Sequence, residues 1–209
     1  MDPWTIRKRQ FITRLEEDLK RGRVDEDVLS LLNAINSTEC YYTTSSCSGR
    51  IQLAEAEWPG DKFNMKVVAK WHRTVKEGEV KRLLRGDYKY LWLLVQPPIV
   101  HVVSADLTKA DRLVKLARYA GFKHSGVQSF RENRIVVEIM GSERMEMPLI
   151  IRGKLVIKEE ELNEIVERAN FILNRGKEKL KKLQLLVERC KEHLCKGEVP
   201  LHNNFYEIL

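Results

Sequence analysis

Long apolar runs are missing from this sequence of 209 residues. A membrane-spanning helix needs about 20 predominantly apolar residues in a row, and the apolar runs here are far shorter. The opening residues, Met-Asp-Pro-Trp, do not begin a secretory signal peptide. We therefore expect no membrane partner and a cytoplasmic location.

Cysteine is scarce as well, with four residues and no Cys-x-x-Cys pair. A chain of this length can bury a sizeable core without cross-links, so we expect no need for disulfides. The order Cys190-x-x-His193-x-Cys195 is similar to a zinc-ligand cluster, but it falls at the end of a helical pattern. Residues three and five positions apart on a helix point in different directions, so we predict no metal site.

Several catalytic and phosphate-binding motifs are also absent. The sequence has no G-x-G-x-x-G between a strand and a helix and no G-x-x-x-x-G-K-[ST] phosphate loop. It lacks the G-x-S-x-G motif of α/β-hydrolases and the H-E-x-x-H motif of zinc proteases. The absence of these motifs excludes the usual dinucleotide-binding, nucleotide-binding and zinc-protease sites.

Positive charge, by contrast, is in excess, with a formal net charge of +7 and a pI near 9.2. The excess indicates either a solvated basic surface or an acidic partner, of which nucleic acid is the commonest. Lys, Arg, Glu, Ile and Val are plentiful, which is typical of thermophilic proteins.

Hydrophobic periodicity predicts an α+β protein of mainly antiparallel sheets with packed helices. The sequence predicts helices over residues 4–22, 25–36, 77–85, 106–120 and, as a long C-terminal helix, 158–196. It predicts strands over residues 51–54, 65–69, 90–95, 99–103 and 133–140.

A weak internal repeat suggests a duplication inside a single compact domain spanning residues 1–209. The helix over 25–36 precedes a Ser-Cys-Ser-Gly segment and a hairpin, and the helix over 106–120 precedes His-Ser-Gly and another hairpin. We therefore expect two intertwined related halves, about 1–88 and 89–157, followed by the C-terminal helix.

Residues 41–50 read YYTTSSCSGR, and we predict a polar loop between strands because consecutive serines compete for nearby backbone groups. Gly49 would permit close approach, and Arg50 adds a forked cation suited to a carboxylate or phosphate. The segment is either a polar turn or a pocket for an anion-bearing ligand. Cys47 has no local base to activate it, which favours a structural or ligand-packing thiol.

Three further positions allow both a structural and a functional interpretation. Trp71 either closes the core or stacks on a base, and His72 either lies on the surface or accepts a proton. His101 lies in an apolar strand, as a satisfied buried histidine or as part of a pocket. Lys62 follows a Pro-Gly-Asp turn and is either solvated or in contact with a phosphate.

Ordered motifs give the sequence a resemblance to a known family. Residues 43–50 match a [ST]-x-S-S-C-x-G-R signature, and further landmarks follow in order over roughly residues 5–185. These landmarks are Asp61-Lys62, Trp71-His72, the Pro-x-x-His of 98–101, Gly121-Phe122, Ser125-Gly126, 134–137, 146–149 and Gly153-Lys154-Leu155. The chain resembles the tRNA wybutosine-synthesising protein 3 family, including its stand-alone archaeal members.

The resemblance implies an S-adenosylmethionine-dependent methyltransferase with a fold unlike the Rossmann type. Its substrate would be the phenylalanine tRNA anticodon loop, methylated on N-4 of a 4-demethylwyosine-type tricyclic base next to the anticodon. Eukaryotic members carry an arginine in the strand where this chain has Glu138, Ile139 and Met140, so that residue's role does not transfer, although Arg144 nearby could substitute.

The resemblance also implies roles for individual residues. The expected cofactor-binding residues are Ser45, Ser46, Cys47, Ser48, Gly49, Arg50, Ser125 and Gly126. The expected substrate-binding residues are Arg50, Lys62 and Trp71, and the expected catalytic residues are His72, ranked first, and His101. One rival hypothesis is a non-catalytic RNA-binding module with a serine-rich phosphate clamp, and another is a small-molecule enzyme with an anionic substrate.

Overall fold

A computed structural model describes residues 2–61, 63–131 and 134–197 of the chain. The helices are α1 (Pro3–Lys20), α2 (Glu26–Asn36), α3 (Glu77–Leu83), α4 (Leu107–Tyr119), α5 (Leu162–Arg189) and α6 (Lys191–Lys196). The strands are β1 (Tyr41–Cys47), β2 (Arg50–Glu55), β3 (Lys66–Trp71), β4 (Tyr90–Gln96), β5 (Ile99–Ser104), β6 (Gly126–Arg131), β7 (Arg134–Met140), β8 (Met145–Ile151) and β9 (Lys154–Leu155). Within the described ranges, no helix is both long and apolar enough to cross a bilayer.

The chain divides into two compact units that are each built from discontinuous segments. Of the described residues, the first unit comprises 2–47, 99–141 and 178–197, and the second comprises 48–98 and 142–177. Helix α5 contributes its first part to the second unit and its last part to the first. Residue 88, the predicted boundary between the two halves, lies inside the second unit, and the predicted halves stay a prediction.

The first unit is built on a four-stranded antiparallel sheet in the order β1-β5-β7-β6. One face packs against α2, α4 and the end of α5 in a core that includes Leu31, Leu113 and Leu183. On the other face, Trp4 and Phe11 of α1 lie against Tyr42, with ring centroids 5.1 Å from that of Tyr42 in each case. Beyond α1, this second face carries polar side chains.

The second unit is built on an antiparallel sheet in the order β3-β2-β4-β8-β9. Alternating residues of β2 and β4 pack against the first part of α5, as Leu53 and Leu93 do with Leu173 in one buried cluster. Asn170 of α5 bonds both backbone groups of Val75, at 2.8 Å each. These contacts hold the loop before α3 in place.

The structure confirms the α+β class and the long helix near the C-terminus, with differences of detail. The predicted helix over 158–196 is interrupted, because a 3₁₀ turn over Glu159–Glu161 precedes α5, and Cys190 separates α5 from α6. The predicted duplication into two related halves stays a prediction.

The prediction of a polar loop over residues 41–50 is wrong, because most of that stretch is strand β1. It pairs with β5 from Tyr41 to Cys47, with one β-bulge between Thr43 and Ser45. Tyrosine and threonine favour strands, and serine hydroxyls that would oppose a helix are compatible with a pleated strand. The turn is confined to residues 48–49.

A disulfide is present, although a core of this size was expected to need none. Cys40, just before β1, is bonded to Cys195 in α6 across a sequence separation of 155 residues. Both residues belong to the first unit, where Cys40 is buried. The bond ties α6 to the start of the edge strand β1, and it takes Cys195 out of the zinc pattern considered above.

Candidate active site

A chain of hydrogen-bonded side chains crosses the open face of the four-stranded sheet. Register places Ser45 of β1 opposite His101 of β5, and His101 opposite Glu138 of β7. Ser45 Oγ lies 3.0 Å from His101 Nδ1, and His101 Nε2 lies 3.0 Å from Glu138 Oε2. Gln128 Nε2 donates to the same carboxylate oxygen at 3.1 Å.

The chemistry of these groups fixes the direction of the hydrogen bonds. A carboxylate only accepts, so the proton of a neutral His101 ring is on Nε2, and Nδ1 is left as the acceptor for the Ser45 hydroxyl. The Gln128 amide holds Glu138 from the other side. A proton arriving at Ser45 can therefore pass to His101, where the Glu138 carboxylate stabilises the resulting imidazolium.

Two cavities of the first unit border the serines of β1. The larger, of about 490 Å³, is lined by Thr44, Ser45, His101, Gln128, Ser129, Arg134 and Val136. The smaller, of about 180 Å³, is lined by Phe11, Arg14, Leu15, Asp18, Arg23, Val24, Leu32 and residues 43–46. Its two arginines both pair with Asp18, at 3.7 Å, which offsets part of their charge. Ser46 lines only the smaller cavity, and Cys47 follows it on β1.

The backbone conformation at position 49 requires glycine. Its φ of 91° lies in the left-handed region, and an added Cβ would lie 3.2 Å from the backbone oxygen of Gln96 and 3.3 Å from the Leu173 side chain. Ser48, beside it, is fully buried. The close neighbour of Gly49 is the protein's own strand β4, and the predicted role of Gly49 in binding the cofactor stays a prediction.

Arg50 begins β2 with an oriented guanidinium. Its Nε donates to Gln96 Oε1 of β4 at 2.6 Å. Among the described residues, its two Nη nitrogens have no hydrogen-bond partner. A guanidinium fixed on one side and open on the other suits bidentate binding of a carboxylate or phosphate.

Gln52 is a site candidate that the motifs did not identify. Its side chain is 1% exposed, and its Nε2 has no hydrogen-bond partner among the described residues. It lies two residues after Arg50 and therefore on the same face of β2. A glutamine between the apolar residues Ile51 and Leu53 was the available signal, since buried amides are normally satisfied.

Trp71 and His72 lie at the end of β3 in the second unit. Trp71 pairs in register with Ile51 and packs, half-buried, against the core of that unit. The backbone oxygen of His72 accepts a hydrogen bond from Lys177 Nζ at 2.6 Å. Lys62, which was also predicted to bind the substrate, lies outside the described residues.

Ser125 lies in the turn that leads from α4 into β6, and Gly126 is the first residue of β6. The Ser125 hydroxyl donates to the Phe122 oxygen at 2.8 Å, and its backbone oxygen accepts from the Arg118 guanidinium at 2.9 and 3.1 Å. An added Cβ at Gly126 would meet nothing within 4 Å. These contacts brace the turn, and the cofactor role predicted for both residues stays a prediction.

The fold and the site define a class of α+β proteins that differ from Rossmann-type methyltransferases, because both sheets are antiparallel. A solved structure of this class, the PH1069 protein from Pyrococcus horikoshii, superposes with a TM-score of 0.83. It is 44% identical and the alignment covers 88% of this chain and 95% of that chain. The family model described as Methyltransferase TYW3 matches residues 6–189, so the chain belongs to that methyltransferase family.

Two curated relatives are similar over almost their whole length. A Thermococcus sibiricus protein is 43% identical over 188 residues, which are 90% of this chain and 95% of the relative. A Pyrococcus horikoshii protein is 46% identical over 178 residues, 85% of this chain and 91% of the relative. Both are named tRNA(Phe) 7-((3-amino-3-carboxypropyl)-4-demethylwyosine(37)-N(4))-methyltransferase, the second with the number 1.

Proposed function

We propose that this protein methylates N-4 of a 4-demethylwyosine-type base in tRNA(Phe), with S-adenosylmethionine as the methyl donor. Membership of the methyltransferase family over residues 6–189 carries this conclusion. The first unit adds a proton-accepting chain on an open sheet face, and the second unit adds an oriented guanidinium on β2. Both are groups that such a reaction needs.

The cofactor must present a carboxylate to the protein, and the residues on β2 fit it. The open side of the Arg50 guanidinium and the buried Gln52 amide are two donor groups on one strand face, and a carboxylate only accepts hydrogen bonds. Bound there, the cofactor supplies an electrophilic methyl group on a sulfonium. Residues 45–49 remain predicted cofactor-binding residues.

The reaction forms a bond between N-4 and the methyl carbon while the bond from that carbon to sulfur breaks. The nitrogen must lose a proton, and the cationic sulfonium becomes a neutral thioether. We assign proton acceptance to the chain from Ser45 through His101 to Glu138, which leaves the positive charge on an imidazolium beside a carboxylate. The other task of the site is to position the reactants. His72, Trp71 and Lys62 remain predictions as alternative base and as substrate contacts near the anticodon.

The direct test is incubation of the purified protein with hypomodified tRNA(Phe) and S-adenosylmethionine, followed by mass analysis of the nucleosides. We expect one added methyl group on the tricyclic nucleoside and none on tRNA that lacks it. A protein that binds this tRNA but adds no methyl group would support the RNA-binding module instead. In that case, calorimetry with S-adenosylmethionine alone would also give no heat.

Replacing Arg50 by alanine should weaken cofactor binding. Hydrogen bonds to charged groups contribute about 1.5–3 kcal/mol, so we expect the Kd for S-adenosylmethionine to rise about 10- to 150-fold, measured by calorimetry without RNA. Arg73→Ala is the matched control, because the Arg73 guanidinium bonds Glu79 at 2.8 and 3.1 Å on the surface of the same unit. An unchanged Kd in Arg50→Ala would remove the guanidinium from the cofactor site.

A further inference from the structure

The open face of the four-stranded sheet offers more than a proton acceptor. Its larger cavity, of about 490 Å³, is lined mainly by polar side chains. β5 and β7 are interior strands whose backbone groups are used in the sheet ladders, so side chains must make the contacts to anything bound over them. Hydroxyls of Thr44, Ser45 and Ser129 and the Gln128 amide provide donors and acceptors, which suit base edges and ribose rather than an apolar ligand.

Two arginines border this face from different elements. Arg134, exposed at the start of β7, lines the cavity. Arg7 lies on α1 between Trp4 and Phe11, whose rings lie against Tyr42. Burial raises the pKa of Tyr42, while Arg134 and Arg7 both act to lower it, so both guanidinium groups lie within electrostatic range of one hydroxyl.

Helix α1 extends this positive charge along the edge of the sheet. Residues 3–14 contain four basic side chains and no acidic one, although Arg14 pairs with Asp18 and Lys8 donates to the backbone oxygen of Thr38. None of the described residues that line the cavity is acidic, and the carboxylate of Glu138, on the same face of β7, is engaged by His101 and Gln128. The positive charge of the two arginines therefore faces outwards with no local acidic partner among the residues that line the cavity.

We infer that this open face binds the single-stranded RNA segment adjoining the methylated nucleotide, with Arg7 and Arg134 contacting its phosphates. The inference rests on the proposed function and deepens it. Charge complementarity supports the choice, because a flexible single strand can follow a sheet face while its phosphates meet arginines at the rim. The target base would then reach Ser45 and His101 from the same cavity.

The test measures binding of an anticodon stem–loop RNA to Arg7→Gln, Arg134→Gln and the double variant over a salt series. The association constant falls as salt is added, so log K plotted against log salt has a negative slope. Each lost phosphate contact should reduce the magnitude of this slope by about 0.7, and the double variant should reduce it by about 1.4. We expect the Kd at moderate salt to rise about 5- to 10-fold for each single change. Arg9→Gln is the matched control, because residues two positions apart on a helix do not share a face. It should change the Kd less than twofold.

Equal losses in all three single variants, or unchanged slopes in Arg7→Gln and Arg134→Gln, would overturn the inference. So would binding of a poly-glutamate peptide with the same dependence on both arginines, since that would indicate an acidic protein partner. Methyl transfer by the wild-type protein and the KM of the variants for tRNA separate the two proposals. If wild-type protein binds RNA through Arg7 and Arg134 but transfers no methyl group, the proposed function fails and the docking face stands. If Arg134→Gln keeps the wild-type KM for tRNA, only the docking face fails.

Discussion

His101→Gln is expected to slow methyl transfer at least about 100-fold while the Kd for S-adenosylmethionine stays unchanged. Glutamine fills a similar volume and keeps a hydrogen bond to the neighbouring strands, but it cannot accept the proton that N-4 must lose. General-base catalysis by a positioned side chain typically contributes about 10²- to 10⁴-fold, which sets the expected size. Single-turnover measurements at saturating tRNA and cofactor isolate the chemical step from binding and product release.

Three further variants show whether the effect belongs to the hydrogen-bonded chain. Glu138→Gln should give a smaller loss, because the imidazolium then lacks its carboxylate but His101 can still accept the proton. Added imidazole should restore part of the rate of His101→Gly, which a purely structural defect would not allow. Should His101→Gln react at the wild-type rate while His72→Gln is inactive, the base is His72 and the assignment made here is wrong.

Cys40→Ser is expected to have the largest effect on stability. In the chain-entropy description, a cross-link that closes a loop of about 155 residues contributes about 5 kcal/mol to the free energy of unfolding. For a protein of this size, that corresponds to a Tm lowered by about 10–20 °C. Thermal unfolding followed by circular dichroism, without reductant, gives the measurement.

Reductant and thiol titration provide the controls for this prediction. Wild-type protein in excess dithiothreitol should unfold near the temperature of Cys40→Ser, and the double variant Cys40→Ser/Cys195→Ser should match the single one. Unfolded, non-reduced wild-type protein should show two titratable thiols, those of Cys47 and Cys190. Four titratable thiols, or no shift with reductant, would mean that the bond does not form.

The sequence predicted helices and strands best where local pattern decides them. The amphipathic repeats of α2 and α4 and the apolar run of β4 all fall close to their predicted bounds. Strand β1 was missed because its partner β5 lies more than fifty residues away, and only that pairing turns a hydroxyl-rich segment into a strand. The Cys40–Cys195 bond is likewise a product of tertiary structure, since nothing local links residues so far apart.

The sequence identified part of the candidate site but not its arrangement. Ser45 and His101 were each singled out by motif, yet their contact depends on strand register, which one sequence does not reveal. Gln128 was missed because it is the extra residue of a second bulge, between Val127 and Ser129, and belongs to no motif. Glu138 stood out only as a departure from the eukaryotic pattern.

The bulge in β1 determines which hydroxyl meets the histidine. Alternation from Tyr42, which faces α1, would point Thr44 to the same side and Ser45 to the helix-covered side. The extra residue shifts the alternation by one, so that Ser45 lies opposite His101 while Thr44 still borders the same cavity. Two consecutive hydroxyls thus serve one face, which a regular strand cannot achieve. The number of residues in the segment 43–47 is therefore constrained. Inserting or deleting one residue would change which side chain lies opposite His101, even if every residue type were kept.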